Sequence, residues 1–473
     1  MSDSSKVTPR TLKGFQDLLP EEAIVRRRVI RTIEEVFERH GFLPIETPAL
    51  EHLDVLLGTG GAEVNKELFR LESPEAEPIA LRFDLTVPFA RVVAQYPDKV
   101  KPPFRRYAIG PVWRADKPGP GRFRQFTQFD VDIAGADTVA VDGEIIAIMC
   151  EVMCALHVPS YRALINNRKL IDALLYGAGV DEPARHKHIL RVVDKLAKVG
   201  ADNVRLELGP GRVDESGDPI PGVRLEEATI DQILAFIDVK GDSRRNVLEN
   251  VAAVLPDSDA AKAALDEMRE LADVLDALGV DEEHAWFSPS LTRGLDYYTG
   301  PVFEMMLPKA RKVGSVMGGG RYGELVERFM DRAITGTGMS VGLDRLLTGL
   351  EKLKCLEPIK STVQVLVVTL GSVPAADTLR VAAELRAAGL ATEAYFGRKM
   401  RMKEQLSHAD RWDIPVAVIL GEDEIANGQV SIKGLRSGRQ MKADIDSRED
   451  YMKAGTRTQV TVARDAMVAT VLD

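Results

Sequence analysis

Five short segments place charged side chains beside aromatic residues and glycine, in stretches whose other residues are typical of β-strands. They are residues 82–86, 113–116, 128–132, 293–298 and 342–345. A charged group inside a sheet destabilises the fold unless a partner or a ligand compensates its charge. Any one of the arginines in these segments could form an ordinary surface salt bridge, but surface salt bridges are a poor explanation of the ordered set, which indicates a functional role.

A glycine-rich segment at residues 318–323 (GGGRYG) matches the GxGxxG pattern of dinucleotide-binding folds. That fold requires a second strand before the acidic residue that binds the ribose, and no clean strand separates this segment from Asp344. Gly318, Gly319 and Gly320 instead favour a pocket wall that lets the backbone approach a small ligand. A dehydrogenase is therefore a weak alternative, and the lack of a GxxxxGK[ST] motif in the sequence excludes a P-loop site.

The cysteine and histidine residues predict no metal site. Cys150, Cys154 and His157 lie in an apolar helical run, and the sequence has no second ligand cluster of the kind that zinc sites usually need. We expect both cysteines to be buried in a core helix. His186 and His188 lie in a charged helical segment, where we expect them to be exposed. We therefore predict no metal-binding side chains.

The composition is typical of a globular protein with several domains. The chain has 473 residues, of which 45% are hydrophobic and 28% charged, and its net charge is −10. This acidic balance excludes a uniformly basic surface but allows a local basic face that binds nucleic acid. The sequence has three cysteines, no secretory signal and no apolar run of about 18 to 20 residues. We therefore expect a cytoplasmic protein that does not enter the membrane.

The hydrophobic pattern predicts the elements that position the charged segments. A helix over residues 20–40 buries one face, formed by Val29, Ile33, Val36 and Phe37. An extended run over residues 42–46 follows, and the pair is compatible with a dimer interface or with an ordinary helix and strand. Residues 105–113 and 123–132 predict two antiparallel strands, and residues 139–156 predict a buried helix.

Taken in order along the chain, these segments resemble the motifs of the class II histidyl-tRNA synthetases. Residues 8–19 (TPRTLKGFQDLL) resemble the N-terminal signature of that family, and residues 42–48 resemble class II motif 1. Residues 105–135 resemble motif 2 and residues 336–347 resemble motif 3. Residues 291–300 (LTRGLDYYTG) are similar to the signature specific for histidine. The resemblance runs nearly from end to end and is weakest in the helical middle.

The resemblance implies an α/β (α+β) fold with a class II catalytic domain built on an antiparallel sheet. We expect this domain to comprise residues 1–166, with motifs 1 and 2, and residues 284–354, with the histidine signature and motif 3. A helical module, residues 167–283, is inserted between them. After a linker at residues 355–361, residues 362–473 form a small α/β domain with a mostly parallel sheet, which resembles the anticodon-binding domain of class IIa synthetases.

The implied activity is the ATP-dependent attachment of L-histidine to the 3′ end of tRNA(His). A histidyl-adenylate intermediate forms with release of pyrophosphate, and AMP leaves on transfer. The implied ligands are histidine, tRNA(His), and ATP with Mg²⁺, and the implied assembly is a homodimer. The alternative is the synthetase-like, non-catalytic regulatory subunit of ATP phosphoribosyltransferase, which usually lacks the anticodon domain and the arginines present here. The RGLDYY letters argue against a synthetase for threonine, proline or glycine.

The same resemblance assigns the ATP site and the catalytic residues. Arg114 and Arg293 are the candidate catalytic residues: Arg114 binds the α-phosphate, and Arg293 bridges the histidine carboxylate and the α-phosphate. Arg345 binds the γ-phosphate, Asp116 belongs to the ATP site, and Arg122 is a candidate contact for ATP or for the end of the tRNA. Arginine suits these roles because its guanidinium group stays charged and binds oxygens in pairs.

The remaining assignments concern histidine and tRNA. The α-amino group of histidine contacts Asp84, Thr86 and Gln128, and its imidazole ring contacts Asp132 and Tyr298. The other neighbours of histidine are Tyr297, Gly318, Gly319 and Gly320. Lys117, in the motif 2 loop, reaches the acceptor end of the tRNA. A basic patch beside Phe396 contacts tRNA phosphates and comprises Arg398, Lys399, Arg401 and Lys403.

Overall fold

The structure, a computed structural model, describes residues 7–57, 66–119, 121–214, 217–292, 298–331, 334–398, 401–436 and 459–473. The chain forms two compact units. The first comprises the segment that ends at Asp17 and Val29–Leu356, and the second comprises Leu18–Arg28 and Glu357–Asp473. No helix in these described ranges is long and apolar enough to cross a membrane. The division into two units does not test the predicted limits of the helical insertion, residues 167–283, which therefore remain a prediction.

The first unit contains thirteen strands in its described residues. In chain order they are β1 (Leu43–Pro44), β2 (Leu50–His52), β3 (Arg70–Glu72), β4 (Pro78–Leu81), β5 (Phe104–Trp113), β6 (Gln125–Ala134), β7 (Arg162–Asn167), β8 (Gly211–Val213), β9 (Pro219–Pro221), β10 (Ala285–Phe287), β11 (Tyr298–Met306), β12 (Met317–Tyr322) and β13 (Gly336–Gly342). Eight of them form one sheet, in the order β1-β5-β6-β13-β12-β11-β7-β10.

The ladders inside this sheet, from β5 to β7, are all antiparallel, and only the two outermost pairs are parallel. The predicted antiparallel pair is confirmed as β5 and β6, with Arg106 directly opposite Asp132. On β6, polar residues alternate with Phe129, Val131 and Ile133, which belong to the hydrophobic core. Because successive side chains of a strand point to opposite faces, one face of the sheet is polar; we call it the front face.

The described residues of the first unit form thirteen α-helices, of which α1 has its first turns in the second unit. They are α1 (Pro20–Arg39), α2 (Leu53–Leu56), α3 (Thr86–Gln95), α4 (Val139–Ala155), α5 (Arg168–Gly177), α6 (Pro183–Val193), α7 (Leu196–Val199), α8 (Ala201–Leu208), α9 (Glu227–Ile237), α10 (Arg244–Val254), α11 (Asp259–Ala277), α12 (Glu324–Glu327) and α13 (Leu343–Lys352). A 3₁₀ helix spans Pro308–Val313.

The first predicted helix is confirmed as α1, which buries Val29, Ile33, Val36 and Phe37 as expected. Gly41, with φ of +75°, follows it in the left-handed conformation that often ends a helix. The extended run that follows forms only the two-residue strand β1, which pairs in parallel with β5. Proline at positions 44 and 48 limits this strand because proline has no N–H for a ladder bond.

The buried helix predicted over residues 139–156 is confirmed as α4. It is apolar on nearly every side because it packs between the sheet and α11. Gly143 permits the close approach of the two helices, since a Cβ there would lie 2.4 Å from Val274 Cγ1. Cys150 is buried as predicted, but Cys154, in the last turn, is exposed.

The inserted segment is mainly helical, from α5 to α11, as predicted. Its glycine- and proline-rich stretch, however, forms the two-stranded β8–β9 hairpin. His186 in α6 is buried, contrary to expectation: its Nδ1 lies 3.0 Å from Asp172 Oδ1 and its Nε2 lies 2.6 Å from the carbonyl oxygen of Val180. His188 is exposed as expected.

The second unit contains a five-stranded sheet in the order β15-β14-β16-β17-β18. Its elements are β14 (Val365–Thr369), α14 (Ala375–Ala387), β15 (Thr392–Ala394), α15 (Met402–Arg411), β16 (Val416–Leu420), α16 (Glu422–Ala426), β17 (Gln429–Gly434), β18 (Gln459–Ala463) and α17 (Met467–Leu472). The predicted parallel arrangement holds for the first three strands and is wrong for β17 and β18, which pair antiparallel. The β16–β17 connection, residues 421–428, is shorter than a parallel crossover requires.

Candidate active site

A cavity of about 230 Å³ lies on the front face of the eight-stranded sheet. Residues that are far apart in the sequence meet in its lining, from β6, β11, β12 and β13, from the β5–β6 loop and from α13. The predicted site residues that line it are Asp84, Thr86, Arg114, Asp116, Arg122, Gln128, Asp132, Tyr298, Gly318 and Arg345.

The other predicted residues lie elsewhere. Lys117 is exposed in the β5–β6 loop. Gly319 and Gly320 belong to β12 but do not line the cavity. The predicted tRNA contacts Arg398, Arg401 and Lys403 lie in the second unit and are exposed. Arg293, Tyr297 and Lys399 lie outside the described residues.

The alternation of side chains along β12 explains why the three glycines differ. Gly318, Gly320 and Tyr322 share the front face, while Gly319 and Arg321 point to the back. Gly318 reaches the cavity, but Gly320 is covered by the ring of Tyr298, which would lie 2.8 Å from an added Cβ. A Cβ on Gly319 would lie 2.0 Å from the carbonyl oxygen of Gly338. The glycine run is therefore only in part a pocket wall.

At one end of the cavity, buried acceptors lack donors. Asp84 precedes α3, and its Oδ1 accepts a hydrogen bond of 3.1 Å from the backbone N–H of Val87. Its Oδ2 is buried and has no hydrogen-bond partner among the described residues. Gln128 donates from Nε2 to Ser340 Oγ over 2.6 Å, and its Oε1 is likewise buried and unpartnered in the described chain. A cationic N–H donor is the group that would satisfy these oxygens.

Burial also changes the acidity of this end. It raises the pKa of Asp84 to about 6, even though the Val87 N–H and the cations Arg114 and Arg106 oppose that rise. It likewise raises the pKa of Asp132, against the opposing effect of Arg106. Carboxyl groups of this kind ionise fully when a cation joins them, because the cation compensates the lost hydration.

Asp132 is held by two residues that the sequence interpretation did not single out. Tyr322 donates its hydroxyl hydrogen to Asp132 Oδ1 over 2.9 Å, and Arg106 Nη2 lies 2.5 Å from Asp132 Oδ2. Arg106 is completely buried, stacks over the ring of Phe89 at 4.6 Å and donates to the carbonyl oxygen of Leu85. Both were detectable, since Tyr322 follows Gly318 and Gly320 at strand spacing and Arg106 lies in the motif 2 resemblance.

At the other end of the cavity, arginines converge. The guanidinium groups of Arg114 and Arg345 bond backbone carbonyls, those of Phe83 and Ser315. Burial lowers the pKa of Arg345, and the charges of Arg122 and Arg114 lower it further. The three cations are thus close enough to repel one another, which favours a polyanionic ligand between them.

The β5–β6 loop presents Asp116 and Arg122 to the cavity as an ion pair. Lys117 donates its backbone N–H to Asp116 Oδ1 over 2.6 Å, which orders the start of the loop. Phe126 lies beneath Arg114, whose guanidinium carbon is 5.3 Å from the ring centroid. Asp344, the acidic residue of the motif 3 resemblance, accepts the backbone N–H of Thr127 over 2.8 Å and so joins α13 to β6.

On the back face of β12, a second buried cluster is fully bonded. Arg321 pairs with Asp142 on α4 and, over 2.8 Å, with Glu267 on α11. Asp142 also accepts the hydroxyl of Thr337 over 2.8 Å, and Glu267 accepts the side-chain amide of Asn167 over 2.6 Å. This cluster joins the cavity strand to the helices behind it.

The second unit carries a shallow groove of about 410 Å³. Its basic side chains are Arg398, Lys403 and Arg411, and Tyr395 and His408 lie beside them. Phe396, next to this groove in sequence, is 56% exposed. Cations beside exposed aromatic rings are suited to nucleic acid, because they bind phosphates and stack on bases.

No group of three or more His, Cys, Asp or Glu side chains in the described ranges is arranged to hold a metal ion.

An antiparallel sheet with an arginine-lined cavity on one face, in a chain with a separate small α/β unit, is the architecture of the class II aminoacyl-tRNA synthetases. A family model described as Histidyl-tRNA synthetase matches residues 14–346, and one described as Anticodon binding domain matches residues 364–455. The chain belongs to the histidyl-tRNA synthetase family.

Individual relatives agree with this assignment over the whole chain. The Histidine--tRNA ligase of Paracoccus denitrificans is 40% identical, covering 100% of this chain and 99% of that protein. The Histidine--tRNA ligase of Caulobacter vibrioides is also 40% identical, covering 97% and 95%. The crystal structure of histidyl-tRNA synthetase from Nostoc sp. PCC 7120 is 30% identical, with a TM-score of 0.80 and coverage of 99% of both chains. The predicted fold class and family are therefore confirmed.

Proposed function

We propose that the chain attaches L-histidine to the 3′ end of tRNA(His) through a histidyl-adenylate, using ATP with Mg²⁺ and releasing pyrophosphate and AMP. The observation that carries this proposal is one cavity with two unlike ends. Buried acceptors without donors lie at one end, and converging guanidinium groups lie at the other. The α-ammonium group of an amino acid matches the first end in charge, and the phosphates of a nucleoside triphosphate match the second.

At the acceptor end, the α-ammonium group of histidine binds the free oxygens of Asp84 and Gln128, with Thr86 beside them. Asp132 accepts the N–H of the imidazole ring, and Tyr298 and Tyr322 belong to the same cavity lining. An amino acid without an imidazole leaves these buried polar groups unpaired. Discrimination of this kind reaches about 10⁴- to 10⁵-fold, so the proposal requires no editing site.

At the arginine end, the histidine carboxylate attacks the α-phosphorus of ATP and pyrophosphate leaves. Two anions must meet in this step, so fixed positive charge lowers its barrier. We assign the α-phosphate to Arg114 and the γ-phosphate to Arg345, with Arg122 and Asp116 at the edge of the nucleotide and Arg293 between the reacting groups. Mg²⁺ enters with the phosphates of ATP as part of that substrate.

The second unit and the loop residue Lys117 contribute to tRNA binding in this proposal, through Arg398, Lys399, Arg401 and Lys403 in the second unit. We also propose a homodimer. The edge strand β1 exposes 58% of Leu43, and β2 exposes 46% of Leu50, so apolar surface is available at the motif 1 end of the unit. A tRNA ligase of this kind acts where translation occurs, which places the chain in the cytoplasm.

Amino-acid-dependent exchange of pyrophosphate into ATP tests the proposal directly. We expect exchange with histidine and with none of the other nineteen amino acids. Replacing Arg114 with alanine should lower kcat about 10²- to 10³-fold, because one fixed donor to the transition-state charge is lost. The control is Arg311→Ala, an exposed arginine of the same unit, which should retain full exchange. Histidine binding without exchange in the wild-type protein would favour the regulatory subunit instead.

The assignment of the second unit is tested by comparing exchange with tRNA charging. Replacing Arg398 with alanine should raise the KM for tRNA several-fold, because one phosphate contact is lost, and should leave exchange unchanged. The control is Arg380→Ala, an exposed arginine on α14 that pairs with Asp377. Equal effects of the two substitutions on charging would remove the assignment.

A further inference from the structure

We infer that Asp130 is a positioning residue whose carboxylate sets the direction of the hydrogen bonds made by three cavity residues, so that each presents an acceptor to the α-ammonium group of bound histidine. The three residues are Thr86, Gln128 and Ser340. This inference rests on the proposed function, and it extends the histidine site to a side chain behind the cavity lining.

Asp130 does not itself line the cavity, although it contacts a residue that does. It shares the front face of β6 with Gln128 and Asp132, two residues away on either side, and is 1% exposed. Ser340 on β13 is directly opposite it in the ladder. Thr86, at the start of α3, lies 3.4 Å from its Oδ2. Thr86 and Ser340 line the cavity, so Asp130 acts on it through their hydroxyls.

The ionised carboxylate determines how Ser340 and Gln128 bond. Ser340 is directly opposite Asp130, whose buried Oδ1 has no hydrogen-bond partner among the described residues, so in this proposal the single hydrogen of the Ser340 hydroxyl is directed to Asp130. Ser340 Oγ can therefore only accept from Gln128, and it does so from Nε2 over 2.6 Å. The amide of Gln128 is thus held with its Oε1 on the other side, where this buried oxygen has no partner among the described residues. An acceptor is left for the ligand.

The hydroxyl of Thr86 is oriented by Asp130 in the same way. It donates its single hydrogen to Asp130, so only lone pairs remain for the cavity. With the free Oδ2 of Asp84 and the Oε1 of Gln128, the site offers three kinds of acceptor to an ammonium group with three N–H bonds. The Asp130 carboxylate thus orients the neutral side chains of Thr86, Gln128 and Ser340 without itself contacting the ligand.

The charges around Asp130 make this orientation depend on pH. Arg106 and Arg82 stabilise its anionic form, whereas Asp132 and Asp84 oppose it. Burial raises the pKa of Asp130 to about 7. Below that pH the protonated carboxyl becomes a donor. Its neighbouring hydroxyls are then released to donate elsewhere, and the amide of Gln128 loses the constraint that directs Oε1 to the ammonium group.

Two histidine analogues separate this effect from a general disturbance of the pocket. Histidinol keeps the ammonium group and the imidazole, whereas 3-(imidazol-4-yl)propionate keeps the imidazole and carboxylate but has no ammonium. By calorimetric titration of the full chain at about pH 8, Asp130→Asn should weaken histidinol about 10-fold and change the propionate less than about 2-fold. The control Asp181→Asn, an exposed aspartate, should change neither.

The pH profile and a second variant complete the test. Between about pH 8 and pH 6, wild-type affinity for histidinol should fall more than affinity for the propionate, and Asp130→Asn should reduce this difference to the part that the titration of Asp84 contributes near pH 6. Ser340→Ala should weaken histidinol alone, by a smaller factor, and it serves if the asparagine variant does not fold. Equal weakening of both analogues, or unchanged histidinol binding, overturns the inference.

These measurements are independent of catalysis. A wild-type chain that binds histidinol but shows no histidine-dependent exchange contradicts the proposed ligase activity and still tests Asp130. A wild-type chain that binds neither analogue overturns both.

Discussion

Two buried charge clusters lie on opposite faces of the same strands, and they differ in how completely they are bonded. On the back of β12, Arg321 is shared between Asp142 and Glu267, and the neighbouring hydroxyl and amide groups fill the remaining positions. On the front, Asp84 and Gln128 each retain a buried oxygen without a partner in the described chain. These two acceptors belong to residues that line the cavity, and the buried Nε and Nη1 of Arg106 also lack partners in the described chain.

The difference separates structure from function. In a fully bonded buried cluster, the internal hydrogen bonds and ion pairs compensate the desolvation of the charged groups and hold the surrounding elements together. A cluster with unpartnered acceptors is completed only when a cationic ligand binds. Both clusters contain aspartates whose pKa burial raises to about 6, Asp142 behind and Asp84 in front. Burial alone thus does not identify the site, but the missing donors do.

The largest effect should come from breaking the back cluster. Arg321→Met leaves Asp142 and Glu267 buried without their cation, which should lower the free energy of unfolding by about 3 to 5 kcal/mol. Urea unfolding followed by circular dichroism measures this loss. The same substitution at the exposed Arg311 should cost less than about 0.5 kcal/mol. A loss at Arg321 as small as that would show that the back cluster is not a structural one.

Much of the fold was predictable from periodicity. α1 follows from apolar residues at helical spacing, because one face of that helix is buried, whereas α4 follows from a long apolar run and β5 and β6 follow from aromatic and β-branched residues. The β8–β9 hairpin was missed because its glycines and prolines are also typical of loops. The antiparallel β17 and β18 were missed because strand direction depends on connection length rather than on local composition.

The site was predictable mainly where a motif marks it. Arg114, Gln128 and Arg345 were identified through segments that resemble family motifs, and the structure places all three in one cavity. Arg106 and Asp130 were not singled out, although they lie in the same segments. Their roles depend on what faces them across a strand pair, and one sequence does not contain that information.

The pH dependence of stability should distinguish the two clusters by their response to ligand. The pKa of Asp84 is raised to about 6, above its unfolded value, so folding takes up protons and stability falls as pH rises from about 4 to about 6. A bound ammonium group lowers that pKa, so stabilisation by histidine should grow with pH, by about 1.4 kcal/mol per unit of pKa change. Thermal melting with and without histidine measures this growth.

Two variants test whether the increase of histidine stabilisation with pH comes from the front cluster. Asp84→Asn should reduce this increase, because the asparagine does not titrate, while the titration of the ligand imidazole is common to both proteins. Thr337→Val, which alters the partner of Asp142 behind the sheet, should leave the ligand-dependent part unchanged. If Asp84→Asn and wild type gave the same histidine-dependent profile, the cation would not be meeting Asp84.

The smallest effect should come from a single hydrogen bond on β13. Thr337 and Ser340 both lie on β13, but Thr337 donates to Asp142 behind the sheet over 2.8 Å, while Ser340 lines the cavity in front. Thr337→Val should lower the free energy of unfolding by about 1 kcal/mol, the net value of one hydrogen bond, without changing the KM for histidine. Urea unfolding and pyrophosphate exchange measure the two quantities. A changed KM in Thr337→Val, with stability intact, would mean that the back cluster also serves the ligand and that the two faces are not separate in function.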